Sequence, residues 1–403
     1  MPRWKTNLIV LWFGQFMATS GMSMIIPFLP LYIQELGITD KSELAMWTSI
    51  IFAGNFLTSF LFQPLWGKLG DRYGRKIMIL RSGFGMSIVV ALMGFATNTW
   101  QLLFLRLLNG TISGYIPAST SLVSTNTPRE HIGYAMGIMQ SGAVAGTILG
   151  PLIGGGLANF VPYQTVFFIT GFLLFIASLL ALFFVKEQFD KKKAAKKPNI
   201  SVLQGFNDLR KIPQIPALFS VTFMIQFSFL SVMPLMAIYV QGMHENSQWL
   251  ALFVGLVGSI TGFSNMIAAP ILGRLSDRIG SEQILWIALL GAAITSIPQA
   301  FVSNVWQLLI LRFFMGIFIG GLLPSVNSLL RKYIPEGMES RAYGFNTSSL
   351  ALGNMLGPIT GGFISGLITI PGLFIMSGIL LFINMIWVRK TLFVSKNVDQ
   401  FKV

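Results

Sequence analysis

The chain has no cysteine, which excludes disulfides, thiolate metal sites and cysteine nucleophiles. Histidine is nearly as scarce. His131 and His244 fall in different predicted loops, so no metal cluster is expected, and neither a metal nor any other cofactor is assigned. No Gly-x4-Gly-Lys-Ser/Thr phosphate loop occurs, which removes nucleotide hydrolysis by that route. Charge is short too: only 10% of the 403 residues are Asp, Glu, Lys or Arg, too few to cover the surface of a water-soluble domain.

What the chain has instead is hydrophobic length. Residues 6–34, 44–67, 107–128, 212–243 and 246–273 each lack Asp, Glu, Lys, Arg and His. About 20 apolar residues in helix cross a hydrocarbon core of about 30 Å. Stretches 132–185 and 342–388 are roughly twice that length, and turn signals at Val161-Pro162-Tyr163 and Ile370-Pro371-Gly372 divide each into two spans. The runs are too long for the ten-residue alternation of a membrane barrel, so the pattern predicts an all-α integral membrane protein. Twelve transmembrane helices are expected near 7–33, 46–66, 77–96, 101–123, 133–158, 164–185, 215–240, 249–272, 283–302, 306–330, 343–368 and 371–388. The first apolar run is too long for a signal-peptide core and lacks a cleavage site, so it reads as a span.

The net charge of +14 does not imply a nucleic-acid partner. Apart from Lys41 and the span residues Arg81, Arg106 and Arg312, the other 24 of the 28 Lys and Arg fall at the two termini and in every second loop. That is the positive-inside pattern, and it predicts cytoplasmic termini, with the lipid bilayer as the partner.

The chain then repeats itself. Trp100-Gln-Leu-Leu-Phe-Leu-Arg106 matches Trp306-Gln-Leu-Leu-Ile-Leu-Arg312, and Gly110 and Gly114 match Gly316 and Gly320, all 206 residues apart. Gly67-Lys-Leu-Gly-Asp-Arg-Tyr-Gly74 matches Gly273-Arg-Leu-Ser-Asp-Arg-Ile-Gly280 at the same offset. The Gly-x-x-x-Gly-Pro-x-x-Gly-Gly run from Gly146 matches that from Gly353 at 207. Two six-helix halves, 1–185 and 213–403, are therefore expected around a cytoplasmic linker at 186–212 that includes a lysine-rich stretch. An even number of spans between copies makes the repeat parallel, as in transporters whose substrate binds near the midplane.

Three features carry candidate chemistry. In the loop after span 2, Gly67 and Gly74 permit tight turns, Asp71 is placed to face a helix N-terminus, and Arg72, Arg75 and Lys76 have Glu130 as the nearest carboxylate. Ordinary positive-inside charge is the competing reading of these basic residues. In span 5, Gly142, Gly146, Gly150 and Gly154 form a stripe along one face, with Gly155 beside it, and Pro151 is expected to bend the helix. The stripe reads either as plain packing or as a seam along which surfaces slide. Arg106 and its twin Arg312 lie inside spans, where an arginine marks a functional site unless it snorkels to the headgroups. Among mid-span polar residues, Gln15, Asn109, Gln226 and Asn346 are candidates for lining a cavity.

Gly67-Lys-Leu-Gly-Asp71-Arg72-Tyr-Gly74-Arg75-Lys76 resembles the signature loop of the major facilitator superfamily. Pro27-Phe-Leu-Pro30, Arg106 and the Gly-Pro-x-x-Gly-Gly of span 5 are similar to its 12-spanner drug:proton antiporter branch. The resemblance implies that Asp71 latches against span 11 and that spans 1, 4, 7 and 10 line the substrate path. It also implies efflux of small, drug-like amphipathic molecules across the bacterial inner membrane, by a monomer driven by protons. Many such relatives carry a membrane-buried carboxylate. Here all 14 acidic residues fall at span ends or in loops, so Glu35 and Asp71 become the candidates for proton coupling. The same feature leaves no acid–base pair at membrane depth for an enzyme. Export of one physiological substrate, such as a sugar or lipid precursor, is the alternative reading; a sensor that has lost transport fits poorly with the intact loop.

Overall fold

The computed structural model describes residues 2–128, 131–187, 206–207, 209–243, 249–334 and 339–393; the side chains of Pro64, Lys68, Asp71, Ile132, Asp277, Glu339, Ser340, Arg341 and Phe393 are not among those described. Every regular element among the described residues is helical. Among the described residues nine helical stretches are long and apolar enough to cross a membrane, and a tenth is formed if Arg3–Met24 (α1) and Leu29–Glu35 (α2), bent by 49° at their junction, count as one span. Large side chains such as Leu367 (84% exposed), Phe160 and Phe301 (both 75%) stand outside the packed interior, as lipid-facing residues do.

Local sequence explains where helices begin. Lys41–Tyr73 (α3) and Arg75–Met93 (α4) are separated by Gly74, whose φ of 104° suits glycine. Thr99–Ile112 (α5) starts at Asn98, whose side chain accepts from the Gln101 backbone N–H, while Gln101 Oε1 accepts from Thr97 N. This reciprocal cap is a variant of the capping box. It recurs 206 residues on at Asn304, Gln307 and Ser303, so the repeated Trp-Gln dipeptide is part of a repeated helix start.

The first half continues with Tyr115–Asn126 (α6), Ile132–Leu157 (α7) and Tyr163–Phe184 (α8). Span 4 is thus two helices, α5 and α6, where one was expected, and α7 continues as a helix through Pro151. After the linker come Gln214–Val232 (α9), Met236–Gln241 (α10), Leu250–Ile279 (α11), Ser281–Ser296 (α12), Val305–Tyr333 (α13) and Glu339–Val388 (α14). With 50 residues, α14 would reach about 75 Å at 1.5 Å per residue. It is interrupted at Thr369 (φ 64, ψ 168), just before the expected turn at Ile370-Pro371-Gly372.

Two compact units result. One comprises Met1–Pro198 with Val240–Ser259, the other Asn199–Tyr239 with Ile260–Val403. In the second, Leu218, Val221, Leu285, Leu289, Leu322, Val326 and Leu381 form a continuous apolar core.

Candidate functional site

The glycine stripe of α7 is seated on the backbone of α1. A Cβ at Gly146 would lie 2.8 Å from the Phe16 carbonyl oxygen, one at Gly150 2.6 Å from the Ser20 oxygen, and Gly154 abuts the Met24 backbone. Only hydrogen fits in these gaps. In the second unit, a Cβ at Gly353 would lie 2.8 Å from the Phe223 carbonyl oxygen and one at Gly357 2.7 Å from that of Phe227, while Gly361 abuts the Ser231 carbonyl. All three partners lie 207 residues beyond Phe16, Ser20 and Met24, so the repeat extends to which atoms touch. Van der Waals contact and lipid exclusion hold such helices together, so a side chain that forces them apart removes the packing itself.

A second face of α7 meets α11 within the first unit. Gly155 abuts the Ala251 carbonyl and Gly255, Gly255 abuts the Pro151 carbonyl, and Ser259 Oγ donates to the Ile148 carbonyl at 2.7 Å. The motif residues Gly146, Gly150, Pro151, Gly154 and Gly155 therefore serve two interfaces. Ser259 is a site residue that the sequence reading missed.

Arg106 and Arg312 are 7% and 4% exposed, which excludes snorkelling in this conformation. Neither has a carboxylate partner among the described residues. The Nη2 of Arg312 is 3.7 Å from Met236 Sδ, and its guanidinium lies 5.7 Å from the centroid of the Phe374 ring. The Nε of each arginine is buried and unbonded.

Most of the polar candidates are tied to neighbouring helices. Gln15 donates to the Met139 carbonyl at 3.2 Å, Asn109 to Asn55 Oδ1 at 2.8 Å, and Asn346 accepts from Thr222 Oγ1 at 2.7 Å. Gln226 is half-buried, with its Cβ against Gly353. Oxygens of Gln15 and Asn109 nonetheless stay buried and unbonded. Glu35 is exposed and accepts from Gln164 Nε2 at 3.3 Å.

At the loop between α3 and α4, the Asp71 side chain lies outside the described residues, as does Glu130. Gly67 does not make the expected turn: it lies inside α3 with open space around it, and Gly74 alone turns the chain at this corner. Arg72 lies against the ring of Tyr73, and Arg75 Nη1 donates to Thr125 Oγ1 at 2.9 Å. The carboxylate found at this corner is Glu187, from just beyond α8. It accepts from the backbone N–H groups of Arg75 at 2.9 Å and Lys76 at 2.8 Å, two donors that have no partner within the helix. Lys186, beside it, exchanges backbone bonds with the Asn7 side chain at 2.8 and 3.0 Å. Its place in the linker gave no sign of this role.

Small-residue seams that repeat between the two units, two buried arginines 206 residues apart and a glycine turn between α3 and α4 are features of a membrane transporter. The family model of the Major Facilitator Superfamily matches residues 11–297 and 237–401. The multidrug resistance protein MdtG of Proteus mirabilis is 40% identical over 384 residues, 95% of each chain, and that of Salmonella arizonae 41% over 380 residues, 94% of each. The chain belongs to the major facilitator superfamily. Its fold is similar to that of a bacterial homolog of the human lysosomal transporter Spinster, solved in an inward-facing, unoccupied conformation (TM-score 0.80, 15% identity, 97% of this chain and 98% of that one). It is also similar to that of the nucleoside transporter NupG (TM-score 0.80, 12% identity, 96% and 100%).

Proposed function

We propose that the protein exports structurally varied small amphipathic molecules from the bacterial cytoplasm by proton antiport, with alternating access. The observation that carries this reading is 40% identity across 95% of the chain to a multidrug resistance protein, within a transporter family. In this reading, α5 with α6 and the two parts of α14 complete twelve spans. Both termini are cytoplasmic, the membrane is the inner one, and a monomer suffices. The halves 1–185 and 213–403 move about the 186–212 linker. Asp71 latches the inner gate, with Arg72, Gly74 and Arg75 shaping its loop. The glycine seams of α7 and α14 keep the helix surfaces smooth enough to shift, and Glu35 and Asp71 are the groups through which protons couple.

The test compares drug accumulation in cells lacking and overproducing the protein, then in proteoliposomes with an imposed pH gradient. Lower accumulation of several unrelated compounds, and efflux that follows the gradient, support the proposal. Unchanged accumulation for all compounds would overturn it, and efflux of a single compound would leave the dedicated exporter in its place.

A further inference from the structure

Span 4 departs from its repeat. α5 stops at Ile112, Ser113 is extended (φ −54, ψ 162), and Gly114 adopts φ 141, ψ 5 before α6 begins at Tyr115. A break inside a membrane strands carbonyls that lipid cannot satisfy, yet each here has a donor. Asn109 and Gly110 accept from Ser113 N, and Gly110 also from Ser113 Oγ at 2.7 Å. Thr111 accepts from Trp66 Nε1 at 2.6 Å, and Arg81 Nη2 serves both Ile112 at 3.0 Å and Ser113 at 3.2 Å. The Arg81 guanidinium also lies 3.5 Å over the Trp66 ring. A cation at this end of α5 opposes the negative end of the helix dipole, and the stacked indole adds a cation–π contact.

The second half has the same glycine frame without the donors. At the positions 206 residues on, Trp66 becomes Leu272, Arg81 becomes Ile287 and Gly114 becomes Gly320, and α13 runs unbroken from Val305 to Tyr333. The frame alone therefore builds one continuous helix. The Nε and Nη1 of Arg81 are buried with no partner among the described residues, so the guanidinium retains donors for a second arrangement of span 4.

We propose that Arg81 is a positioning residue for the transport cycle: together with Trp66 it holds span 4 broken at Ser113–Gly114, and its release lets the span close into one continuous helix like α13. This rests on the exporter reading above and deepens it. Because the chain has no cysteine, a thiol introduced by Ala118→Cys, one turn beyond the break, is the only one a maleimide can label. With Arg81 intact, a transported drug is expected to change the labelling rate in membrane vesicles by about threefold or more, as a gating rearrangement would.

In Arg81→Met the drug-free rate should differ from that of the parent and no longer respond to drug. Drug binding should stay within about threefold while efflux falls about tenfold. Arg81→Lys should restore part of the response. Gly114→Ala, whose side chain disfavours φ 141, should reproduce the fixed rate, and the double variant should be no worse than either single one. Retention of the drug response in Arg81→Met, or additive losses in the double variant, would overturn the proposal. If Arg81→Met fails to reach the membrane, Arg81→Lys and Gly114→Ala carry the test. Absence of efflux with Arg81 intact counts against the exporter reading alone. The drug-free labelling rates still decide the clasp, and equal rates in all variants would refute it.

Discussion

The two glycine seams are copies, whereas the two corners that join the next pair of helices are not. Along the seams, Gly150 meets Ser20 and Gly357 meets Phe227 through the same backbone atom at nearly the same distance. At the corners the turn is shared, with φ 104 at Gly74 and φ 98 at Gly280, but the ionic contacts differ. The first corner is held by Glu187 on the backbone of α4. The second is held by Glu282, in the first turn of α12, paired with Lys332 at 2.7 Å, and by Ser281 donating to Ser328 at 2.8 Å. Where backbone touches backbone, only glycine fits and the two copies stay alike. Where side chains do the holding, the carboxylate has been drawn from different places in the chain.

The seams give the largest expected effect. Leucine at Gly150 places a branched side chain where even a Cβ would be 2.6 Å from the Ser20 oxygen, so α7 must part from α1. Efflux by Gly150→Leu should fall at least about tenfold at matched membrane levels, with drug binding better preserved than turnover. Gly357→Leu should do the same. If one variant is inactive and the other normal, the seams are equivalent in geometry but not in function.

The loops should behave unequally. Asp71→Asn keeps the shape and removes the charge, so under the proposed latch, in which that charge faces a helix terminus, efflux should drop about tenfold while expression holds. Asp277→Asn should cost much less, because Ser281 and Glu282 stand where the first copy has Arg75 and Lys76. Equal losses in paired drug-accumulation assays would make both loops gates.

How much of this was legible in the sequence depends on how local the cause is. Glycines four apart encode a stripe on a helix, so the seams could be read directly; the cap at Asn98 and Gln101 is equally local, yet the helix expected from 101 begins at Thr99. The break in span 4 could not be read. Gly114 alone is weak evidence, and the donors that make a break tolerable come from Trp66 and Arg81, 45 and 31 residues from the carbonyls they serve. Glu187 was hidden in the same way, since a carboxylate at the head of a charged linker looks like solvent-facing charge until the fold brings it to α4. The polar residues Gln15, Asn109 and Asn346 show the opposite limit: their polarity was evident, but not that a neighbouring helix claims part of it.

Arg106 and Arg312 also sharpen the comparison, because they are alike in both halves and neither has a carboxylate partner among the described residues. A dication about 6 Å from one guanidinium meets a repulsion of about 5 kcal/mol at an effective dielectric of about 20. Neutral, zwitterionic or anionic amphipaths should therefore be exported in preference to dications of similar size. Proteoliposomes with an imposed pH gradient give the comparison directly, and robust export of dications alone would refute it. Arg312→Gln should narrow the preference if the arginine faces the substrate, and leave it unchanged if the charge only braces Met236 and Phe374.

The smallest expected effect tests the corners. Glu187 places both carboxylate oxygens on the first two N–H groups of α4, from a half-buried position. Those donors have no helical partner, and the carboxylate also offsets the unfavourable placement of Arg75 and Lys76 at a positive helix end. Glu187→Gln keeps one acceptor and turns an amide toward the second N–H, so one charge-assisted bond is lost, worth about 1–2 kcal/mol. The melting temperature in detergent should fall by a few degrees, about what such a loss produces in a chain of this size. Glu282→Gln breaks a pair whose carboxylate is buried but whose lysine is half exposed; the lysine can turn to water, which holds the loss to about 1 kcal/mol. Its shift should be smaller than that of Glu187→Gln, and salt should reduce it. A larger loss from Glu282→Gln would mean that the second corner is held more firmly than the first. The asymmetry between the loops would then reside in Asp71 rather than in the carboxylates around it.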